Sequence, residues 1–95
     1  MKVSAVIFAL LPFVANVMAD SHGACACQSG SDRGLVEAAT NSCCTLFQGS
    51  TASFLEGGKI KYQGIYCLKD GIDGDSWYNC CRNQQSGKGD SACPW

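Results

Sequence analysis

The chain has 95 residues, eight of them cysteine, a mean hydropathy of 0.00 and a formal net charge of −1. That length holds one domain with a small core, so covalent staples are expected to carry much of its stability. Seven basic residues against eight acidic ones leave no basic stripe for nucleic acid and no polybasic patch for anionic lipid.

The N-terminus has the three parts of a secretory signal. Lys2 is followed by the apolar run "VSAVIFALLPFV", broken only by Ser4 and Pro12, and then by Val17 and Ala19 at the −3 and −1 positions of a cleavage site. The run is too short to cross a bilayer. The sequence therefore predicts a signal peptide over residues 1–19 and one cysteine-rich domain over residues 20–95, secreted, monomeric and without a membrane anchor.

The processed domain opens on "CACQ". On a strand, Cys25 and Cys27 point to one face, because side chains alternate. They can then send two bridges into whatever covers that face. "SDRGLVEAATNSCCTLFQG" follows with helical periodicity: Leu35, Ala39, Cys43 and Leu46 share a stripe, with Val36, Cys44 and Phe47 beside it. Ser31 or Asp32 is placed to cap this helix and Gly49 to end it. "TASFLE" is a short strand, Gly57-Gly58 a hairpin turn, and "KIKYQGIYCL" the returning strand. In that strand Ile60 and Tyr62 alternate with Lys59, Lys61 and Gln63. After Gly64 the phase shifts to Ile65 and Cys67, which predicts a bulge at Gly64. "DGIDGDS" is a loop in which Asp75 or Ser76 caps a second helix, "WYNCCRNQQ", and "SACPW" is a last edge strand held by Cys93. The order strand, helix, strand, strand, helix, strand builds an α+β two-layer sandwich, with two helices on one face of a four-stranded antiparallel sheet.

The eight cysteines, Cys25, Cys27, Cys43, Cys44, Cys67, Cys80, Cys81 and Cys93, all lie in the processed domain. An even count this dense in a short secreted chain is a disulfide framework. Zinc is disfavoured: the spacings are one Cys-x-Cys and two vicinal pairs, and the sole histidine, His22, falls near the new N-terminus. A redox Cys-x-x-Cys is absent. Asp70, Asp73 and Asp75 lack the spacing of a calcium loop and are assigned to a turn and cap. His22 has no neighbour in sequence that makes it a general base, so no catalytic residue, cofactor or metal is expected. Tyr66, opposite in phase to Cys67, is expected on the open side of the sheet. An exposed aromatic there, beside Lys59 and Lys61, would suit a sugar or a protein edge, although ordinary cross-strand packing is the favoured explanation.

Taken in order, Cys25-x-Cys27, Ala39-Thr40 leading to Cys44, Gly64 with Cys67-Leu68, Trp77-Tyr78 leading to Cys81, and Ser91-x-Cys93 resemble the small subunits of the corn smut virus killer toxin and the fungal effectors that share its fold. The resemblance implies the same βαββαβ sandwich, a fungal origin and an extracellular role. It also implies that Cys44 and Cys81 tie the helices to the sheet, with Cys25 and Cys27 among the partners. Cys43 and Cys80 have no counterpart in that pattern. Left over together, one on each helix, they are expected to bridge the helices, while the other six cysteines allow 15 pairings. The function expected is that of a virulence-associated effector binding an extracellular or cell-surface protein of a plant host. The alternative is a killer-toxin-like antifungal protein. Membrane-active antifungals are basic, and this domain is slightly acidic, which favours the binding reading. A hydrophobin is excluded because two cysteines, not one, precede the first vicinal pair, and one, not two, lies between the pairs.

Overall fold

The computed structural model describes residues 21–95, so the predicted signal peptide over residues 1–19 lies outside the described residues. Among the described residues four strands and two helices follow one another as β1 (Ser21–Gln28), α1 (Glu37–Phe47), β2 (Ser50–Phe54), β3 (Gly64–Asp73), α2 (Gly74–Gln84) and β4 (Asp90–Ala92). The strands form one antiparallel sheet in the order β2-β3-β1-β4. The α+β sandwich predicted from the sequence is the fold observed.

β1 is the strand on which everything rests. Its residues Ala24 to Gln28 are all buried, so both faces of the sheet are covered at this point. On one face Cys25 and Cys27 join Cys67 of β3 under the two helices, together with Ala39, Cys43, Cys44, Trp77, Cys80 and Cys81. On the other face Ala26 packs with Tyr66 and Ile60, flanked by Leu35 and Phe54. The strict alternation of alanine and cysteine therefore sorts small apolar groups to one side and bridging sulfurs to the other.

Several boundaries differ from the expectation, each for a visible reason. α1 starts after Val36, not at Ser31 or Asp32, and has no side-chain cap. Leu35 is drawn into a bridge with Gln28, and the Val36 N–H donates to the Cys27 carbonyl at 2.8 Å, so the chain stays extended until that point. Leu35 consequently belongs to the other face and packs against Gly64, while Leu46 is exposed. The buried stripe of α1 is Ala39, Thr40, Cys43 and Cys44. Its end is made by Gln48 in the left-handed region (φ 62°), and the Gly49 N–H donates to the Cys44 carbonyl. Gly49 is needed for space: a Cβ there would lie 2.5 Å from the Cys67 Sγ and 3.1 Å from the Cys44 Sγ.

β2 and β3 do form a hairpin, from Ser50↔Leu68 to Phe54↔Gly64. The returning strand begins only at Gly64, however, and Lys59 to Gln63 are not part of it. Gly57 and Ile60 exchange backbone hydrogen bonds in a tight reversal, and the connection folds back over the sheet to bury Ile60 against Tyr66 and Ala26. Apolar surface on that face has to be covered, and the loop covers it. The irregularity expected at Gly64 lies elsewhere: between His22↔Ile72 and Ala24↔Leu68 the register advances two residues on β1 and four on β3, with Gly71 at φ 76°. β3 then runs through Asp70 to Asp73, so most of the expected "DGIDGDS" loop is strand. Asp73, rather than Asp75 or Ser76, caps α2. Its Oδ2 accepts from the Ser76 N–H at 2.9 Å and from the Ser76 hydroxyl at 2.7 Å.

All eight cysteines are paired. Cys44–Cys67 ties α1 to β3, Cys27–Cys81 ties α2 to β1, and Cys25–Cys93 fastens the segment after β4 to β1. Cys43–Cys80 joins the two helices with Cα atoms 6.0 Å apart, the bridge that the leftover cysteines predicted. Around these sulfurs the polar groups are satisfied. Buried Thr40 accepts the Cys27 N–H at 2.9 Å and donates to the Val36 carbonyl, and the indole N–H of buried Trp77 donates to the Ala26 carbonyl at 3.1 Å. Phe47 closes the layer edge-on against Trp77, ring centres 5.2 Å apart.

Candidate functional site

The sheet face away from the helices carries the surface feature with the most chemistry. Ala26 of β1 and its partner Ala92 of β4 are small, so the face sinks between Tyr66 and the end of the chain. The result is an open cleft of about 170 Å³. Lys59, Lys61 and Tyr62 from the β2–β3 connection form one wall, and Cys93 and Pro94 form the other. Trp95 stands at the lip, 45% exposed, with its ring 5.8 Å from Phe54 and the Lys59 ammonium 6.0 Å above it.

The cleft is held from several directions. The Tyr66 hydroxyl donates to the Tyr62 carbonyl at 2.6 Å, pinning the connection to β3, and burial pushes the phenol's pKa up. Phe54 meets Tyr66 edge-on at 5.6 Å. The Cys25–Cys93 bridge anchors the far wall. Asp32, held at φ 57° in the β1–α1 turn, accepts from Lys61 at 3.3 Å and from the Tyr62 hydroxyl at 3.2 Å. The Lys61 hydrogen bond, with its charge, holds the Asp32 carboxyl below its usual range, and Asp32 raises the Lys61 pKa in return. Both side chains are largely in water, so this pair orients the wall rather than stabilising the fold.

The expected residues fall into place unevenly. Lys59 and Lys61 do flank an aromatic, but the exposed rings are Trp95 and half-buried Tyr62. Tyr66, expected on the open side, is 1% exposed and forms the floor, because the loop that carries the lysines folds over it. His22 is not in a tail. It lies in β1 opposite Ile72, and its Nδ1–H donates to a main-chain oxygen of Trp95 at 3.0 Å, as the Gly23 N–H also does. Asp73 and Ser76 lie on its side of the molecule, but the Ser76 hydroxyl donates to Asp73 rather than to the imidazole, which is the wiring of a helix cap and not of a nucleophile with its base. Asp73 also caps where calcium ligands were considered. Among the described residues, the group of sulfurs close enough to share a metal, Cys27, Cys43 and Cys81, is already in disulfides. Among the described residues no helix is long and apolar enough to cross a membrane.

Sequence reasoning missed Asp32 and Trp95 as parts of the site. Asp32 was one of two residues placed to cap the first helix, and Trp95 lay in the edge strand "SACPW" with no role assigned. The one small side chain in the cleft floor is Ala92, in the short segment that Cys93 ties down. Architecture and bridges define a small disulfide-rich α+β domain. Compared with known proteins, the chain matches no family model, no curated protein and no solved structure.

Proposed function

We propose that the protein is a secreted effector of fungal origin that binds an extracellular or cell-surface protein of a plant host, without catalysing a reaction. The observation that carries this reading is the cleft itself. An exposed tryptophan with a lysine over its ring stands on a frame cross-linked at four points, so the contact surface is organised before a partner arrives. Four bridges in so short a chain are the chemistry of an oxidising compartment, in keeping with the signal predicted over residues 1–19 and with the resemblance to killer-toxin-fold effectors.

The test compares the oxidised domain with its Trp95→Ala variant. Each is offered to plant apoplastic fluid with a cross-linker, and each is assayed for inhibition of fungal growth. Capture of a host protein that disappears with Trp95→Ala supports the proposal. Capture indifferent to Trp95, or growth inhibition of fungi without host capture, rejects it, and the second outcome identifies an antifungal protein of the killer-toxin kind.

A further inference from the structure

The cleft has a chemistry that narrows its ligand. Its walls carry two ammonium groups, Lys59 and Lys61, and no carboxylate lines it. The nearby acids are engaged: Asp32 with Lys61 and Tyr62, Asp90 with the Ser91 N–H, and a main-chain oxygen of Trp95 with His22 and the Gly23 N–H. Glu56 lies in the same connection but outside the lining. The domain as a whole is slightly acidic, so this is a local reversal of charge, and it lies beside the exposed ring of Trp95. The floor is Tyr66 and Ala92, apolar and closed.

We propose that this cleft, taken as the partner-binding surface argued above, receives an acidic peptide segment that carries one apolar or aromatic anchor. The anchor side chain fills the hollow over Ala92 against Tyr66 and Pro94. Flanking Asp or Glu side chains of the partner draw Lys59 off the Trp95 ring and compete with Asp32 for Lys61. A sugar fits this chemistry less well. Its hydroxyls need several side-chain acceptors and amides, and the lining holds no Asp, Glu, Asn or Gln, so those hydroxyls would lose water without replacement.

The Asp32–Lys61 pair makes the inference sharp. Asp32 already occupies the position of a ligand carboxylate, so removing its charge should improve binding rather than harm it. The oxidised protein is titrated at low salt with a blocked Asp-Glu-Phe-Asp-Glu peptide, with its Asn-Gln-Phe-Asn-Gln counterpart, and with oligogalacturonate. Trp95 fluorescence reports occupancy, since Trp77 is fully buried. The acidic peptide should bind more tightly than the neutral one and weaken as salt rises. Lys59→Ala should weaken it by roughly two- to fivefold, the range of an exposed charge pair, and Asp32→Asn should tighten it by a similar factor. Both substituted side chains are exposed, so the fold survives either change. Equal binding of the neutral peptide, an Asp32→Asn variant that binds more weakly, or binding of oligogalacturonate while the peptide fails would each overturn the inference. Host capture that depends on Trp95, alongside failure of the acidic peptide, also overturns it while leaving the functional reading intact. Peptide binding with these charge effects, alongside host capture indifferent to Trp95, upholds the site and removes the host reading instead.

Discussion

Removing the Cys43–Cys80 bridge tests how the four cross-links share the stability. Taken alone, this bridge spans 37 residues, and its loop-closure entropy would be worth nearly 4 kcal/mol. It does not act alone. Cys43 is next to Cys44, which is bonded to Cys67, so with the other bridges intact the shortest chain path from Cys43 to Cys80 is about 15 residues, worth about 3 kcal/mol. Cys43 is fully buried and Cys80 nearly so, but alanine at both keeps the Cβ atoms and leaves only the space of two sulfurs. The Cys43→Ala/Cys80→Ala protein should therefore fold, keep the other three bridges and lose about 3 kcal/mol. For a domain of this size that is a fall in Tm of about 12–24 °C. Guanidinium unfolding followed by near-ultraviolet circular dichroism measures it, with disulfide mapping of the variant as the control. A loss below about 1 kcal/mol would show that Cys44–Cys67 and Cys27–Cys81 already confine the unfolded chain, and would refute the path argument.

Four further outcomes follow from single side chains. Gly49→Ala should cost about 1–3 kcal/mol by pushing a methyl into the Cys44–Cys67 bridge, measured by denaturant unfolding. Thr40→Val should cost about 1–3 kcal/mol, since the Cys27 N–H then loses its buried acceptor, and hydrogen exchange at that amide should speed up. Asp73 has its pKa lowered by hydrogen bonds from the Ser76 hydroxyl and N–H, so the folded state binds its proton less readily than the unfolded state; its contribution is complete above the ordinary value near 3.8 and is lost as pH falls through the lower folded value. Asp73→Asn should therefore flatten the acid limb of a stability-against-pH curve. Ala92→Leu, at the half-buried floor of the cleft, should change stability by no more than about 1 kcal/mol yet abolish peptide binding by filling the hollow.

The sequence was most informative where one residue type dominates. Alternation in "ACAC" set the face of Cys25 and Cys27, and the vicinal pairs forced each helix to serve two partners. It was least informative where a tertiary contact outbids a local signal. Ser31 and Asp32 lie where a helix should begin, yet the pairing of Leu35 with Gln28 delays it. Lys59 to Gln63 alternate like a strand, but the apolar face over Ala26 and Tyr66 needs a cover, and Ile60 supplies it by leaving the sheet. The cleft was illegible for the same reason: it joins a turn residue, a connecting loop and the end of the chain, which no periodicity links.

The two faces of β1 are held by different means. A domain this small ordinarily needs large apolar residues on every inward position. Here the face with the helices is filled mainly by sulfur and by Trp77, and the bridges act chiefly on the unfolded chain, so their stabilisation does not depend on filling the opposite face. That face can then hold alanine at Ala26 and Ala92 without loss of the fold, and the hollow over Ala92 is bounded by a loop fixed through Tyr66 and by a segment fixed through Cys93. Both supports are attached to the cross-linked frame. Substitutions on the rim, at Lys59, Asp32 or Trp95, therefore alter the proposed binding surface while leaving the frame as it is. A covalent core beneath a shallow, apolar-floored cleft permits the rim to vary in a domain with little folding energy to spare.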